Sequence, residues 1–317
     1  GGGMKILVTG GLGFKGSVLI PKLLMNGHYV LNIDVEWFGN FLPNHKNLKL
    51  LKKSIIDLSE QDFDGVDAVI HLASVANDPA GDLNPELTWE TSALGTMLLA
   101  EHCINKKIDN FTYASSGSVY GIQNAKHVTE DLPLKPISGY NKTKMIAERI
   151  LLSYPALNAK IFRPATVCGL SPRMRLDVAV NLLTFQALEN GVMTVLGGDQ
   201  TRPNVHIEDI TDLYVSVVEN PDDYSGIYNV GFENLSILEI AENIVQETNV
   251  EINVLPSNDP RSYRINSDRL LATGFKPRFT VADAISEIKE AFHSGKLKQN
   301  ERWHTTKWMK SQGIGNA

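Results

Sequence analysis

The chain has 317 residues, 43% of them hydrophobic and 21% charged, and a formal net charge of −6. That length suits one large α/β domain or two domains sharing a core, and the composition is ordinary for a globular protein. The acidic balance excludes a global basic footprint for nucleic acid, no apolar run reaches the length that spans a bilayer, and two cysteines, Cys103 and Cys168, make no disulfide framework and fit a reducing cytosol. The opening GGGMKILVTG holds no signal peptide, and Gly1 to Gly3 read as a remnant of expression.

In chain order, KILVTG reads as a short buried strand and FKGSVLIPKLLMNG as a helix ending at Gly27. YVLNID is a second strand, NLKLLKKSI holds a third and DAVIHLAS is a fourth. A long helical pattern runs from about Pro85 to Lys106, NFTYASS is a fifth strand, a helix follows around Tyr140, and NAKIFRPATV is a sixth strand. Apolar strands alternating with helices predict a doubly wound parallel sheet covered on both faces. After about Thr166 the elements shorten and SPRMRLD and LGGDQTRPN read as loops, which marks a second, smaller unit with binding loops. The tail from Lys296 is basic and carries Trp303 and Trp308, and reads as solvated or dimer-packing.

Chemistry enters at VTGGLGFKG. Gly10, Gly13 and Gly16 follow the first strand and open the first helix, where glycine permits a tight turn and close approach of a pyrophosphate to the helix N-terminus. Asp34 ends the second strand eighteen residues beyond Gly16, where a carboxylate binds ribose hydroxyls and repels a 2′-phosphate, so NAD is expected over NADP. Lys15 stands where this motif more often has an apolar residue. Tyr140 and Lys144 share one helix face at i and i+4. They are either a surface pair or a phenol made more acidic by a cation.

TGGLGFKG, HLAS, YASSGSVYG, GYNKTK and RPNVHIEDI stand in the order and spacing of the extended short-chain dehydrogenase/reductases. The chain resembles that family over nearly its whole length, and within it the NAD-dependent nucleotide-sugar epimerases, dehydratases and reductases typified by UDP-galactose 4-epimerase. The resemblance implies a Rossmann NAD-binding domain over residues 4–165 and a smaller C-terminal substrate-binding α/β domain over 166–317, interleaved with it. It implies a cytoplasmic homodimer in polysaccharide biosynthesis, with no metal and no membrane or nucleic-acid partner.

It also implies roles for particular residues. Ser116, Tyr140 and Lys144 would meet over the nicotinamide: Tyr140 as general base, Ser116 on the reacting oxygen, Lys144 lowering the phenol pKa and holding the ribose. Gly10, Gly13, Phe14, Gly16, Asp34, Asp57, Leu58, Leu72 and Ala73 would contact the cofactor, with Asp57 equally readable as a helix cap. Ser116, Ser118, Asn181, Arg202, Arg261 and Arg264 would contact the substrate. Asn181 is the diphosphate amide or a cap, and Arg202 the phosphate-gripping guanidinium. Arg173 and Arg175 assist or are solvated. Three positions depart from the family pattern: Ser92 and Thr166 stand where asparagine is usual, and Cys168 is also unusual. Gly117 and Ser118 replace the acid pair of the 4,6-dehydratases, although Glu130 or Asp131 could substitute. The expected activity is oxidation at C4 of a nucleotide-diphosphate sugar through a 4-keto species, with epimerisation ahead of a dehydrogenase or 4-ketoreductase. The rival classes are a non-catalytic NAD-sensing scaffold and an enzyme of a small alcohol such as a steroid.

Overall fold

The computed structural model describes residues 3–36, 39–73, 84–123, 125–176, 178–257 and 262–297. Arg261 and the tail tryptophans lie outside them. The first half supplies β1 (Lys5–Thr9), α1 (Gly16–Met25), β2 (Tyr29–Asp34), β3 (Leu48–Lys52), β4 (Ala68–His71), α2 (Pro85–Trp89), α3 (Gly95–Asn105), β5 (Phe111–Ala114), α4 (Gly139–Leu152) and β6 (Ala159–Pro164). The second half adds β7 (Thr166–Cys168), α5 (Ala179–Asn190), β8 (Val192–Leu196), β9 (Thr201–His206), α6 (Ile207–Glu219), β10 (Ile227–Val230), β11 (Glu233–Ser236), α7 (Ile237–Thr248), β12 (Glu251–Leu255), α8 (Asp268–Leu271) and α9 (Val281–His293). The helix expected across 85–106 is interrupted by a π turn over Glu90–Leu94.

Seven strands form one parallel sheet in the order β10-β6-β5-β4-β1-β2-β3. Growth outward from β1 in one direction and from β4 in the other opens a crevice at the carboxyl ends of these two strands. Residues alternate between the two faces. Ile6 and Val8 pack with Leu19, Leu23, Leu213 and Val217 of α1 and α6. Leu7 packs on the other face with Leu99, Cys103, Ala147 and Leu151 of α3 and α4. Each fully buried Leu, Ile or Val among them contributes about 1.5–3 kcal/mol. Two smaller sheets, β11-β9-β7 and β12-β8, belong to the second half.

Helix α4 begins sharply because the Ser138 hydroxyl accepts from the Asn141 N–H. Deeper along it, Glu148 is fastened to the sheet. Arg163 of β6 donates to both Glu148 oxygens, at 2.6 Å from Nη2 and 3.1 Å from Nε, and Ser115 Oγ donates at 2.5 Å. Arg163 also donates to Tyr120 Oη at 2.8 Å, and that hydroxyl donates to Asn229 Oδ1 at 2.6 Å. Both members of the ion pair are almost fully buried, so removing one strands a charge away from water. Arg163→Met is expected to cost about 3–5 kcal/mol in urea unfolding, and adding Glu148→Leu to recover most of it. An unchanged unfolding midpoint in Arg163→Met would contradict this account.

Candidate active site

A cleft of about 1090 Å³ crosses the carboxyl ends of the main-sheet strands. Gly10, Asp34, Leu72, Ala73, Ser116 and Pro164, each just beyond or at the end of its strand, line it on one side. Thr194, Gln200, Arg202, Asn204 and Tyr263 line it from the second half.

At one end lies the glycine turn. Gly10 has φ +70°, and a Cβ there would stand 2.8 Å from Ala73 Cα; one on Gly16 would stand 2.3 Å from Gly11 O. Around Gly13, by contrast, a Cβ would meet nothing nearer than Gly10 O at 3.5 Å, so the turn keeps an open concave face. Helix α1 starts with no side-chain cap and no acidic residue in its first turn, which suits an anion at its N–H groups. Asp34 is fixed by the N–H groups of Leu12 at 3.0 Å and Glu36 at 2.8 Å. Burial raises its carboxyl pKa, and these two bonds work against the rise.

The wall adjoining the turn is held by a chain of hydrogen bonds. Thr9 Oγ1 accepts from the N–H groups of Leu72 and Ala73, both at 3.1 Å, and lies 2.6 Å from His71 Nδ1. His71 Nε2 lies 2.8 Å from Thr96 Oγ1, whose hydroxyl donates to Ser92 O at 2.7 Å. With Thr96 donating onward, its oxygen accepts from His71, so the proton sits on Nε2 and Nδ1 accepts from Thr9. Burial, with the nearby Lys144 charge, pushes the imidazole pKa down to about 3, so His71 is neutral.

At the centre, Tyr140 and Lys144 stand together. The Lys144 ammonium is 5.8 Å from the Tyr140 ring centre and 5.3 Å from that of Tyr113, and donates to Ala114 O at 2.9 Å. Burial, and then repulsion from Lys15, lower its pKa to about 7 against the pull of Glu148. Ser116 lines the same space, its Oγ accepting from the Ser118 N–H at 3.1 Å. Tyr140 is only 8% exposed, which excludes the surface-pair reading.

The other expected residues divide. Phe14, Gly16, Ser118 and Arg202 line the cleft. Asp57 does not: it is exposed at the end of a short 3₁₀ turn capped by Ser54, and Leu58 is buried in the core, while Ser54 and Ile55 face the cleft. Asn181 is also absent from the lining. Its Oδ1 accepts from Gly169 N–H at 3.0 Å and its Nδ2 donates to Arg175 O at 3.0 Å, so it braces the loop that carries Arg173 and Arg175. Both arginines face the cleft, and Arg173 is 2% exposed rather than solvated. Arg264 is exposed and outside the lining, which Tyr263 joins instead. The sequence reading missed Asn204, which is buried in β9 and pairs in register with Thr166. Its signal was alternation, since Arg202 and Asn204 share one strand face.

The profile of the NAD dependent epimerase/dehydratase family matches residues 6–231, and the chain belongs to that family. An uncharacterized UDP-glucose epimerase of Bacillus subtilis (strain 168) is 33% identical over 260 residues, 75% of this chain and 80% of the relative. The structure of a UDP-N-acetylglucosamine 4-epimerase from Methanobrevibacter ruminantium M1 superposes with TM-score 0.84 at 26% identity, covering 93% of this chain and 100% of the other. A UDP-glucuronic acid 4-epimerase from Bacillus cereus, in complex with UDP-glucuronic acid and NAD, gives TM-score 0.81 at 27% identity over 92% and 99% of the two chains.

The open glycine turn, the uncapped helix and the anchored Asp34 fit the family's dinucleotide. Lys15 also lines the cleft, and burial with the Arg175 charge lowers its pKa to about 8. Asp34 itself repels a 2′-phosphate, and Lys53, the cation that lines the cleft near it, is already paired with Asp62 at 2.7 Å. NAD is expected to bind at least about tenfold more tightly than NADP, the equivalent of ~1.4 kcal/mol, and Asp34→Ser to erase the preference. Calorimetric titration of both cofactors checks this, and equal affinity in the wild type would contradict it.

Proposed function

We propose that this member of the NAD dependent epimerase/dehydratase family oxidises C4 of a nucleotide-diphosphate sugar and re-reduces it from the opposite face, as a sugar-nucleotide 4-epimerase. The observation that carries the reading is the pairing of Tyr140 with the Lys144 ammonium in the cleft beside Ser116. NAD, when bound, supplies the hydride acceptor at C4 and the donor that returns it. Tyr140 takes the proton of the C4 hydroxyl as general base. Its phenol ordinarily titrates near pH 10, and the Lys144 cation favours the phenolate. Ser116 hydrogen-bonds the same oxygen and holds it at the phenol. Arg202 faces the cleft from the second half, where a guanidinium suits the substrate's phosphates.

Among the described residues, Asp34 is the only carboxylate lining the cleft; Glu130 and Asp131 do not reach it, and Gly117 is buried against Pro164. That supports epimerisation over elimination of water across C5 and C6, which needs an acid and a base at those carbons. Buried, unpaired Cys103 and Cys168 support a cytosolic setting, and exposed Trp89, Leu94 and Leu152 on the α2–α4 side support a homodimer. Polysaccharide biosynthesis is the corresponding role.

A thermal-shift panel of UDP-, GDP-, CDP- and dTDP-sugars with NAD should show one class stabilising the protein. Incubation should then leave the sugar's mass unchanged and its C4 stereochemistry altered. Loss of two hydrogens would make the enzyme a dehydrogenase, and loss of water a dehydratase. Tyr140→Phe should keep the fold and NAD binding while turnover falls about 10²–10⁴-fold. Near-normal turnover would remove Tyr140 from the chemistry.

A further inference from the structure

Lys53 is the cation of the cleft lining that the pairing of β2 with β3 brings to Asp34. It follows Lys52, the last residue of β3, which pairs in register with Asp34. Adjacent strands lie about 4.8 Å apart, so Lys53 leaves the backbone within a lysine side chain's reach of the carboxylate. Lys52 itself is exposed and outside the lining. A lysine in this place works against the cofactor preference: the 2′-phosphate that Asp34 repels would meet an ammonium able to offset the repulsion.

That ammonium is already committed. Lys53 Nζ donates to Asp62 Oδ2 at 2.7 Å, and the two side chains are 30% and 17% exposed, so solvent screens the pair only in part. Asp62 stands in a 3₁₀ turn over Glu60–Phe63, whose Phe63 is buried in the core. The same Asp62 oxygen accepts from Ser59 N–H at 2.9 Å and from Ser59 Oγ at 3.3 Å. These bonds fix the carboxylate independently of the lysine. Burial raises the Asp62 pKa, but the bonds from Lys53 and Ser59 outweigh it and hold the group below the usual carboxylate value. Asp62 is not part of the lining, so it acts on the cleft through Lys53.

We propose that Asp62 is a positioning residue for cofactor choice: by holding the Lys53 ammonium at the 3₁₀ turn, it denies a 2′-phosphate the cation that would otherwise offset Asp34. Two carboxylates then set NAD over NADP, one repelling the phosphate and the other restraining its counter-charge. The proposal rests on the placement of the cofactor's adenine-side ribose at Asp34. To receive a 2′-phosphate, Lys53 must first leave Asp62, and the affinity for NADP is reduced by the fraction of molecules in which it has done so.

The test is calorimetric titration of NAD and NADP on wild type, Asp62→Asn, Lys53→Met and the double variant. The amide oxygen in Asp62→Asn can still accept from Ser59, so the turn keeps its bonds while the charge that holds Lys53 is gone. Asp62→Asn should bind NADP about fivefold more tightly than wild type, the scale of a partly screened ion pair, with its NAD affinity changed by less than about twofold. The gain should vanish when Lys53→Met is added, and Lys53→Met alone should leave NADP binding at the wild-type value. Placed in Asp34→Ser, where neither cofactor is preferred, Asp62→Asn should turn the preference to NADP by the same factor. A gain that survives Lys53→Met would mean that the Asp62 charge acts by its own field, and an unchanged NADP affinity in Asp62→Asn would leave Asp62 a turn residue only; either overturns the proposal. So does weaker NADP binding in Lys53→Met alone, which would put Lys53 on the phosphate already, and so do equal losses of both cofactors in Asp62→Asn, which would make its role structural. Equal affinities of NAD and NADP in the wild type would instead sink the placement of the ribose at Asp34, an outcome distinct from any of these.

Discussion

The Glu148–Arg163 pair fixes the geometry on which the site depends. Tyr140, Lys144 and Glu148 repeat every four residues along α4, so they fall on one face of the helix. Because Glu148 is bonded to β6 through Arg163 and to the end of β5 through Ser115, the helix can neither rotate nor slide without breaking buried charge-assisted bonds. Lys144 is then delivered to Ala114 O and Tyr140 to the cleft. The pair is a costly way to hold two elements together in energy alone, since a buried ion pair gains little over apolar packing. What it supplies here is registration.

The cleft also has an electrical layout. Among the described residues Asp34 is the one carboxylate of the lining, while Lys15, Lys53, Lys144, Arg173, Arg175 and Arg202 supply cations. Such an excess of positive charge attracts an anionic ligand before any close contact forms. Neutral His71 adds no charge to it. The imidazole joins β1, β4 and α3 by hydrogen bonds alone, and burial keeps it uncharged across the ordinary pH range.

Much of this was legible in the sequence because local pattern carried it. Strands β1 to β6 were marked by short apolar runs, and the glycine turn, Asp34, Ser116, Tyr140 and Lys144 all lie at strand ends or helix starts, where a motif fixes position. Positions whose role depends on side-chain parity or on a tertiary partner were not legible. In the stretch that passes Tyr263 and Arg264, one residue decides which side chain enters the cleft, and a family spacing cannot settle that parity. Asn181 has the right amide in the right region, but its bonds go to a loop whose path is set by packing. Asp57 follows a turn capped by Ser54, which carries it to the surface. The π turn over Glu90–Leu94 needs one extra residue per turn and leaves no mark in an apolar periodicity.

Strand β10 has a bearing on how the molecule is made. It adds to the free edge of β6, placing Tyr228 in stacked contact with Phe162 at 5.7 Å, yet it is encoded more than sixty residues later. During synthesis the amino-terminal half emerges with its nucleotide fold nearly assembled but with one border unpaired. An unpaired edge strand is a template for pairing with other chains, and nascent multi-unit proteins are vulnerable at that stage. The loops of the second half, with α6, are translated in that interval, before the border closes. Completion of the first unit is thereby tied to translation of the second, and a ribosome that stalls between the two would release a chain with an adhesive flank.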